Sequence, residues 1–163
     1  MHKSTLLPAL NRSQRALGES YLKFQLAPNT PAVLRMEQVQ EALVIPVQRL
    51  TPMPNMPPCV LGLLNRRSRV LWAVDLAQLL QLPPLETYQR YSVVIVHAGQ
   101  TPLGLLVQEV KGVARFSTDC IQPLRSATAH LEMYSRGYIS QPTEEILVLD
   151  AEPIIHSPLL SHA

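Results

Sequence analysis

The 163-residue sequence has enough apolar side chain for a folded core, since 47% of its residues are hydrophobic and 16% are charged, which excludes a disordered chain. A net charge of +2 and only two cysteines indicate no polyanion partner, zinc site or disulfide scaffold, so a reduced cytoplasmic protein is predicted. No apolar run approaches the ~20 residues that cross a bilayer, which excludes a membrane-spanning helix.

The first predicted element is a hairpin of two strands. Residues 1–19 are expected to be a flexible tail, because polar residues interrupt their apolar stretch before a signal-peptide core forms. Apolar and polar residues alternate from Tyr21 to Leu26, which predicts a half-buried strand, and Ala32 to Leu34 can return as a second strand. Met36 to Leu43 fits a helical turn or a strand, and we expect a short turn that leads into a strand.

A proline-rich loop leads to a second pair of strands. Five prolines lie between positions 46 and 58, and proline cannot donate a ladder hydrogen bond, so this segment is predicted to be irregular. Val60 to Leu64 and Val70 to Val74 predict two strands joined at a basic tip. Asp75 is expected to cap a helix over Leu76 to Leu80, which two following prolines end.

The second half of the chain is also predicted to consist of short strands followed by a capped helix. Strands are expected over four apolar runs: Ser92 to Val96, Leu103 to Val110, Val113 to Phe116 and Ile146 to Leu149. Lys111-Gly112 should break the chain between two of them, and Ser117 to Arg136 is a looser polar stretch. Asp150 is a second predicted cap, for a terminal helix over Ala151 to Ile155.

The order of strand end, aspartate and short helix occurs twice, at Asp75 and Asp150, seventy-five positions apart. This repeat predicts two related lobes, and many short strands with few helices predict that each lobe is a small β-barrel or sandwich. Lobes of about 70 residues bury little apolar surface alone, so they should share an interface, and a groove between them is the expected binding surface.

One segment carries a recognisable signature. Residues 57–76 read PPCVLGLLNRRSRVLWAVDL. They resemble the chemotaxis coupling (CheW-like) family, in which a proline and a glycine precede Asn-Leu-Arg-Gly, apolar residues, a proline and Val-Asp-Leu. The matching positions are Pro57, Gly62, Asn65, Arg67, Val74, Asp75 and Leu76. The likeness extends over roughly residues 20 to 157 and includes Tyr21 to Leu26, Val39 to Glu41 and Gly104 to Val107.

The resemblance implies a mainly β fold of two interlocked five-stranded SH3-like β-barrels with a few short helices around a shared core. It places a CheW-like domain over residues 20–157, between tails at 1–19 and 158–163. Family members are non-enzymatic adaptors that need no cofactor or metal. They couple the cytoplasmic tips of methyl-accepting chemoreceptors to a CheA-type histidine kinase in two-component signal transduction, and they reach the membrane only through those receptors.

The resemblance also supplies candidate binding residues. Mapped onto this sequence, the receptor groove and kinase contact comprise Met36, Val39, Glu41, Asn65, Arg67, Val93 and Val113. An arginine here would pair with acidic residues of a partner. Taken singly, each apolar candidate is better explained by core packing, and only as a set mapped to one groove are the two interpretations balanced. The arginines are better explained by a solvated hairpin tip, except Arg67, for which the resemblance favours a contact.

Three residues depart from the family pattern. Ser68 replaces a usual glycine, Trp72 a usual proline and Gln108 a frequent aspartate. Without glycine, a turn adopts a positive φ only at a cost. The departures suggest a divergent member that serves a pilus-motility or phototaxis array rather than a flagellar one.

Two other function classes stay open at the level of sequence. A small nucleic-acid-binding β-barrel would use the basic loop from Arg66 to Arg69, although an aromatic content of 5% argues against stacking platforms. A hydrolase with a site made from Asp119, Cys120 and His130 lacks any supporting motif. No pair of histidines has metal-ligand spacing, and the scattered glycines form no phosphate-binding loop.

Overall fold

The computed structural model describes residues 18–86, 89–125 and 129–160, and this part of the chain is built mainly from β-strands. The strands are β1 Glu19–Ala27, β2 Thr30–Arg35, β3 Val39–Pro46, β4 Leu50–Thr51, β5 Val60–Arg66, β6 Arg69–Asp75, β7 Arg90–Ala98, β8 Thr101–Val107, β9 Glu109–Phe116, β10 Ile121–Gln122, β11 Ser135–Ser140 and β12 Glu145–Leu149. The helices are α1 Leu76–Leu79, α2 Ala129–Tyr134 and α3 Ala151–Ile155. Short 3-10 turns cover Met36–Gln38, Val47–Arg49, Thr118–Cys120 and Pro158–Leu160.

The strands form two sheets, which confirms the predicted mainly β fold with two small barrels. The order is β10-β11-β12-β2-β1-β9 in one sheet, here lobe A, and β4-β5-β6-β8-β7-β3 in the other, lobe B. Each sheet has five longer strands and one two-residue strand. The β2–β12 and β6–β8 neighbours are parallel, and the other neighbours are antiparallel.

The two lobes are interlocked because lobe B is inserted into lobe A. Lobe A takes β1–β2 from the beginning of the described chain and β9–β12 from its end, whereas lobe B is the continuous segment from β3 to β8. The chain therefore crosses between the lobes at two places, the turn Met36–Gln38 and the single residue Gln108. No helix in the described ranges is long and apolar enough to cross a membrane.

Three groups of buried side chains hold this arrangement together. The largest is a central core that both lobes share, with members such as Leu22, Phe24, Leu34, Val94, Val96 and Leu105. A second core lies inside lobe B and includes Leu64, Leu71 and Val93, and a third inside lobe A includes Tyr21, Val33 and Ile139. Full burial of one such side chain contributes about 1.5–3 kcal/mol. The predicted shared interface between the lobes is therefore present.

Both predicted caps are confirmed. The Asp75 carboxylate accepts from the backbone N–H of Gln78 at the start of α1, and the Asp150 carboxylate accepts from that of Glu152 at the start of α3. A carboxylate at this position satisfies a donor that the helix itself cannot satisfy.

Some predicted boundaries and faces were wrong. The expected strand from Leu103 to Val110 is two strands, because Gln108 donates its N–H to the Gln25 carbonyl where the chain leaves lobe B. Helix α1 ends at Leu79, before the prolines that were expected to end it. Tyr21 belongs to the face that the predicted half-buried strand leaves to solvent, opposite Leu22, but it is buried in the lobe A core, because β1 is covered on both faces.

Strands β4 and β10 lie inside segments that were expected to be irregular, and β11 begins at the end of one of them and continues to Ser140. The two-residue strands β4 and β10 each lie against a glycine of the neighbouring strand. A Cβ atom on Gly62 would come 2.3 Å from the Thr51 carbonyl oxygen, and one on Gly137 would come 2.1 Å from that of Gln122. The glycines allow this close approach of two backbones. Of the predicted tails, 1–19 and 158–163, residues 1–17 and 161–163 lie outside the described residues, Glu19 begins β1, and Pro158–Leu160 form a 3-10 turn.

Candidate functional site

The apolar half of the candidate site begins where the chain first crosses between the lobes. Met36 lies in the 3-10 turn, and Val39 is the first residue of β3. Both are partly exposed and pack against the central core, as does Val110 on β9. Strands β3 and β9 are each the last strand at one end of their sheet. The margin of the central core therefore presents aliphatic side chains next to two sheet edges.

The charged half of the site is an ion-pair cluster around Glu41 on β3. Arg66, at the end of β5, donates to Glu41 through two bonds, Nε to Oε1 and Nη2 to Oε2, each 2.9 Å long. The Nε atom of Arg67 lies 3.5 Å from the same Oε1. Hydrogen bonds from Arg66, with a further contribution from Arg67, hold the pKa of Glu41 below its ordinary value of 4.5. Glu41 is therefore a fixed anion that orients two guanidinium groups.

Arg67 and Ser68 form the two-residue turn between β5 and β6. Their φ angles are +52° and +64°, so both residues adopt the left-handed conformation that a tight hairpin of this kind requires. Ser68 thus takes the positive φ without being glycine, at a cost of about 1–2 kcal/mol for an L-residue. The turn leaves the Arg67 side chain 71% exposed, against 31% for Arg66.

The structure places the remaining candidates in different surroundings. Asn65 is exposed on β5, opposite Val70 on β6. Val113 is 63% exposed on β9 of lobe A, opposite Leu22. Val93 is fully buried in the lobe B core, so its side chain offers no surface to a partner. Of the seven candidates, the structure brings Glu41 and Arg67 into direct contact.

Two residues near the site were not among the sequence candidates. Arg66 was expected to lie on a solvated tip, yet it is the principal partner of Glu41. Gln38 was missed altogether: its Nε2 donates to Asp150 Oδ1 at 2.8 Å, and its Oε1 accepts from the Ala151 N–H at 3.0 Å. No sequence pattern marks Gln38, because its partners lie more than a hundred residues away.

The two other residues that depart from the family pattern, Trp72 and Gln108, lie in different surroundings. Trp72, where the family usually has proline, is half-buried and packs against the central core, so it is not a free aromatic platform. Gln108, the crossing residue, has an exposed side chain.

Groups with catalytic or metal-binding chemistry are dispersed. The His130 ring nitrogen Nε2 is 2.7 Å from the carbonyl oxygen of Leu79, so it is engaged by lobe B rather than by a thiol. Burial raises the pKa of the Cys59 thiol, which makes it a poor nucleophile, and Cys120 is exposed. Within residues 18–86, 89–125 and 129–160, no three His, Cys, Asp or Glu side chains form a group that could hold a metal ion.

Comparisons with known proteins agree on one family. Residues 20–159 match the model of the CheW-like domain. The chain is 29% identical over 105 residues to a probable chemotaxis protein CheW of Rhizobium etli, covering 64% of this chain and 68% of the relative. It is 26% identical over 113 residues to the chemotaxis protein CheW of Thermotoga maritima, covering 69% and 74%.

The fold comparison agrees with the sequence comparison. The crystal structure of the scaffolding protein TtCheW from Thermoanaerobacter tengcongensis superposes with a TM-score of 0.70 at 20% identity. The superposition covers 81% of this chain and 88% of the other. At this identity the likeness establishes the fold of two SH3-like barrels.

Proposed function

This chain belongs to the CheW family, and from that premise we propose that it is a cytoplasmic, non-enzymatic adaptor that couples chemoreceptors to a CheA-type histidine kinase. Its mechanism is binding: it holds the cytoplasmic tip of a receptor beside the kinase, so that a conformational change in one biases the other. Repeated copies in an array would add avidity, so each single contact can be weak.

The observation that carries the proposal is an exposed guanidinium in contact with Glu41, which lies on β3 two residues after Val39 at the margin of the central core. Arg67 is 71% exposed, and its contact with Glu41 is long at 3.5 Å. Its remaining donors are therefore available to a carboxylate on a partner. The two hydrogen bonds between Arg66 and Glu41 join the end of β5 to β3. They therefore restrict the position of the Arg67-Ser68 turn, which follows Arg66 directly.

The apolar part of the surface fits a helix. Helix-in-groove recognition uses aliphatic anchors beside a polar rim, and Met36 and Val39 provide such anchors at the margin of the central core. Val113 and Asn65 stay in the proposed contact surface because both are exposed. Val93 is left out because it is buried.

Charge reversal at the turn tests this function. Arg67→Glu should weaken binding to a soluble helical-hairpin fragment of a receptor tip, or to the regulatory domain of the kinase, by about tenfold, because it places a second carboxylate beside Glu41 and removes the guanidinium. Binding is measured by titration calorimetry. Arg69→Glu is the matched control, since Arg69 is exposed in the same hairpin; it should bind like the wild type.

Equal affinities of Arg67→Glu and the wild type would remove Arg67 from the interface. A melting temperature lowered by more than a few degrees would make it a structural residue instead. A nucleic-acid-binding function is not favoured, because Arg66 and Arg67 both contact Glu41 and Trp72 packs on the core. Steep salt-dependent binding of single-stranded DNA would support that alternative.

A further inference from the structure

The turn Met36–Gln38 is poorly secured by its own hydrogen bonds. It is a three-residue 3-10 turn, the residue before it, Arg35, provides no side-chain cap, and the turn is closed by the Val39 N–H donating to the Met36 carbonyl. Short 3-10 turns have weaker hydrogen-bond geometry than α-helices. Two proposed groove residues, Met36 and Val39, therefore lie on a segment that needs outside support.

Gln38 supplies that support from within the turn. Its side-chain amide makes a closed pair of bonds with the residues that begin helix α3: Nε2 donates to Asp150 Oδ1 at 2.8 Å, and Oε1 accepts from Ala151 N–H at 3.0 Å. Helix α3 follows β12 of lobe A in the chain and packs on β7 and β8 of lobe B. Asp150 Oδ1 also accepts from Glu152 N–H at 3.2 Å, so one oxygen serves both the helix and the turn. The amide is thus bound to the first turn of α3.

The equivalent aspartate of lobe B lacks such a connection. Asp75 uses Oδ1 for the Gln78 N–H and Oδ2 for the Leu85 N–H at 2.9 Å, and both donors belong to lobe B. The cap of α1 is therefore made entirely with residues of lobe B, whereas the cap of α3 also holds the segment that crosses to β3. Capping alone explains Asp75, but it does not explain why the cap at Asp150 includes Gln38.

We propose that Gln38 is a positioning residue for the receptor groove, which clamps the segment carrying Met36 and Val39 to helix α3 through Asp150 and Ala151. The inference rests on the proposed function for the identity of the groove. The clamp links the position of α3, which follows β12 in the chain and packs on β7 and β8 of lobe B, to the position of the first residues of β3. It acts through the position of the groove and makes no contact with the receptor.

A pair of substitutions separates the clamp from the cap. Gln38→Glu places a carboxylate against Asp150 and abolishes that bond. Asp150→Asn keeps an acceptor oxygen for both Gln38 and Glu152, so alone it should be nearly silent. In the double variant the new amide at position 150 can donate to the new carboxylate at position 38 while its oxygen caps α3, which restores the clamp with donor and acceptor exchanged.

Two measurements are made on all four proteins. Affinity for the receptor-tip hairpin fragment is measured well below the melting temperature, and hydrogen exchange is measured at the Val39 amide. We expect Gln38→Glu to weaken binding by about tenfold, Asp150→Asn to stay within about twofold, and the double variant to regain most of the loss. Exchange at Val39 should quicken in Gln38→Glu and recover in the double variant.

Two results would overturn the inference, and a third would distinguish its failure from a failure of the proposed function. Unchanged affinity in a folded Gln38→Glu protein, even with a lower melting temperature, would mean that Gln38 is only structural. Absence of rescue in the double variant would exclude Asp150 as its partner. If the wild type does not bind the hairpin at all, the proposed function fails, and exchange at Val39 still decides whether the clamp exists: equal rates in wild type and Gln38→Glu would refute it.

Discussion

The two lobes share a common frame, made of a two-residue strand, a strand glycine and a capping aspartate. They differ in the strands β3 and β9 at the edges of their sheets. In both, a two-residue strand lies against a strand glycine, Gly62 in lobe B and Gly137 in lobe A. In both, the capping aspartate donates its own N–H to the residue that precedes a neighbouring strand, Asp75 to the Cys59 carbonyl and Asp150 to that of Tyr134. Each of these pairs is seventy-five residues apart. The repeat therefore extends well beyond the aspartate and helix that reveal it in the sequence.

The edges do not repeat. The outward residues of β3 in lobe B are uncharged: Gln40, Ala42, Val44 and Pro46. Those of β9 in lobe A are mostly charged: Glu109, Lys111, Val113 and Arg115. A common frame with different edges gives this protein two chemically distinct surfaces, which the proposed adaptor function would use for two kinds of partner.

The strongest test of the shared frame is at the two glycines. Gly62→Ala and Gly137→Ala should each lower the free energy of unfolding by about 3 kcal/mol or more, because the new Cβ meets a backbone carbonyl and φ is +150° and +131°. Urea denaturation measures both. Gly99→Ala is the control: φ is +60° but nothing lies within 4 Å of the added atom, so the cost should be about 1 kcal/mol.

Similar losses at Gly62 and Gly137, both well above that of Gly99, would support the equivalence of the two glycines. A loss at Gly62 or Gly137 no larger than the control would show that the two-residue strand of that lobe moves away easily. The two lobes would then have the same order of elements along the chain, but these elements would not contribute equally to stability.

The two capping aspartates should differ. Asp75→Ala removes a buried acceptor from two N–H groups and should destabilise the protein by about 2–3 kcal/mol, whereas Asp150 is partly exposed and its loss should cost about 1 kcal/mol. Asparagine variants sharpen the contrast. Asp75 uses both oxygens, so Asp75→Asn turns a donor toward the Leu85 N–H, but Asp150 accepts from both Gln38 and Glu152 through Oδ1. Equal costs for the two asparagine variants would contradict this assignment.

The smallest expected effect is the pH dependence of stability that the Glu41 ion pair on the edge strand β3 causes. The lowered pKa of Glu41 means that its ion pair stabilises the fold above pH 4.5, and this contribution is lost as pH falls through the lower folded-state pKa. The difference in stability between wild type and Glu41→Gln should therefore shrink as the pH falls below 4.5, measured by urea denaturation at a series of pH values. Glu109→Gln, on the exposed pair with Lys111, should follow the wild type more closely. If the stability difference between wild type and Glu41→Gln does not change with pH, the ionisation of Glu41 is not coupled to folding.

Local patterns account for what could be predicted from the sequence. Alternation marked β1, apolar runs marked β5 to β8, and aspartates before short amphipathic segments marked α1 and α3, because each depends on neighbours in the chain. The family signature identified the basic turn. Arg67 is exposed in this turn and lies near Glu41, and the binding role of both residues stays a prediction.

Long-range packing accounts for what could not be predicted. The run Val93 to Val96 indicates a strand, but it does not reveal that Val93 and Ile95 face the lobe B core while Val94 and Val96 face the central core. The strands β4 and β10 are too short to form a pattern, and they exist because a glycine elsewhere admits them. The contact of Gln38 with α3 depends on the inserted arrangement of the lobes, which no local pattern encodes.

The insertion of lobe B has a consequence for the order in which a nascent chain can fold. The parallel ladder that completes lobe B joins Ala73 to Gly104, about thirty residues apart, so it can form soon after both leave the ribosome. The ladder of lobe A joins Ala32 to Leu147, more than a hundred residues apart. During synthesis the first hairpin must therefore wait, with one edge unpaired, until almost the whole described chain has emerged.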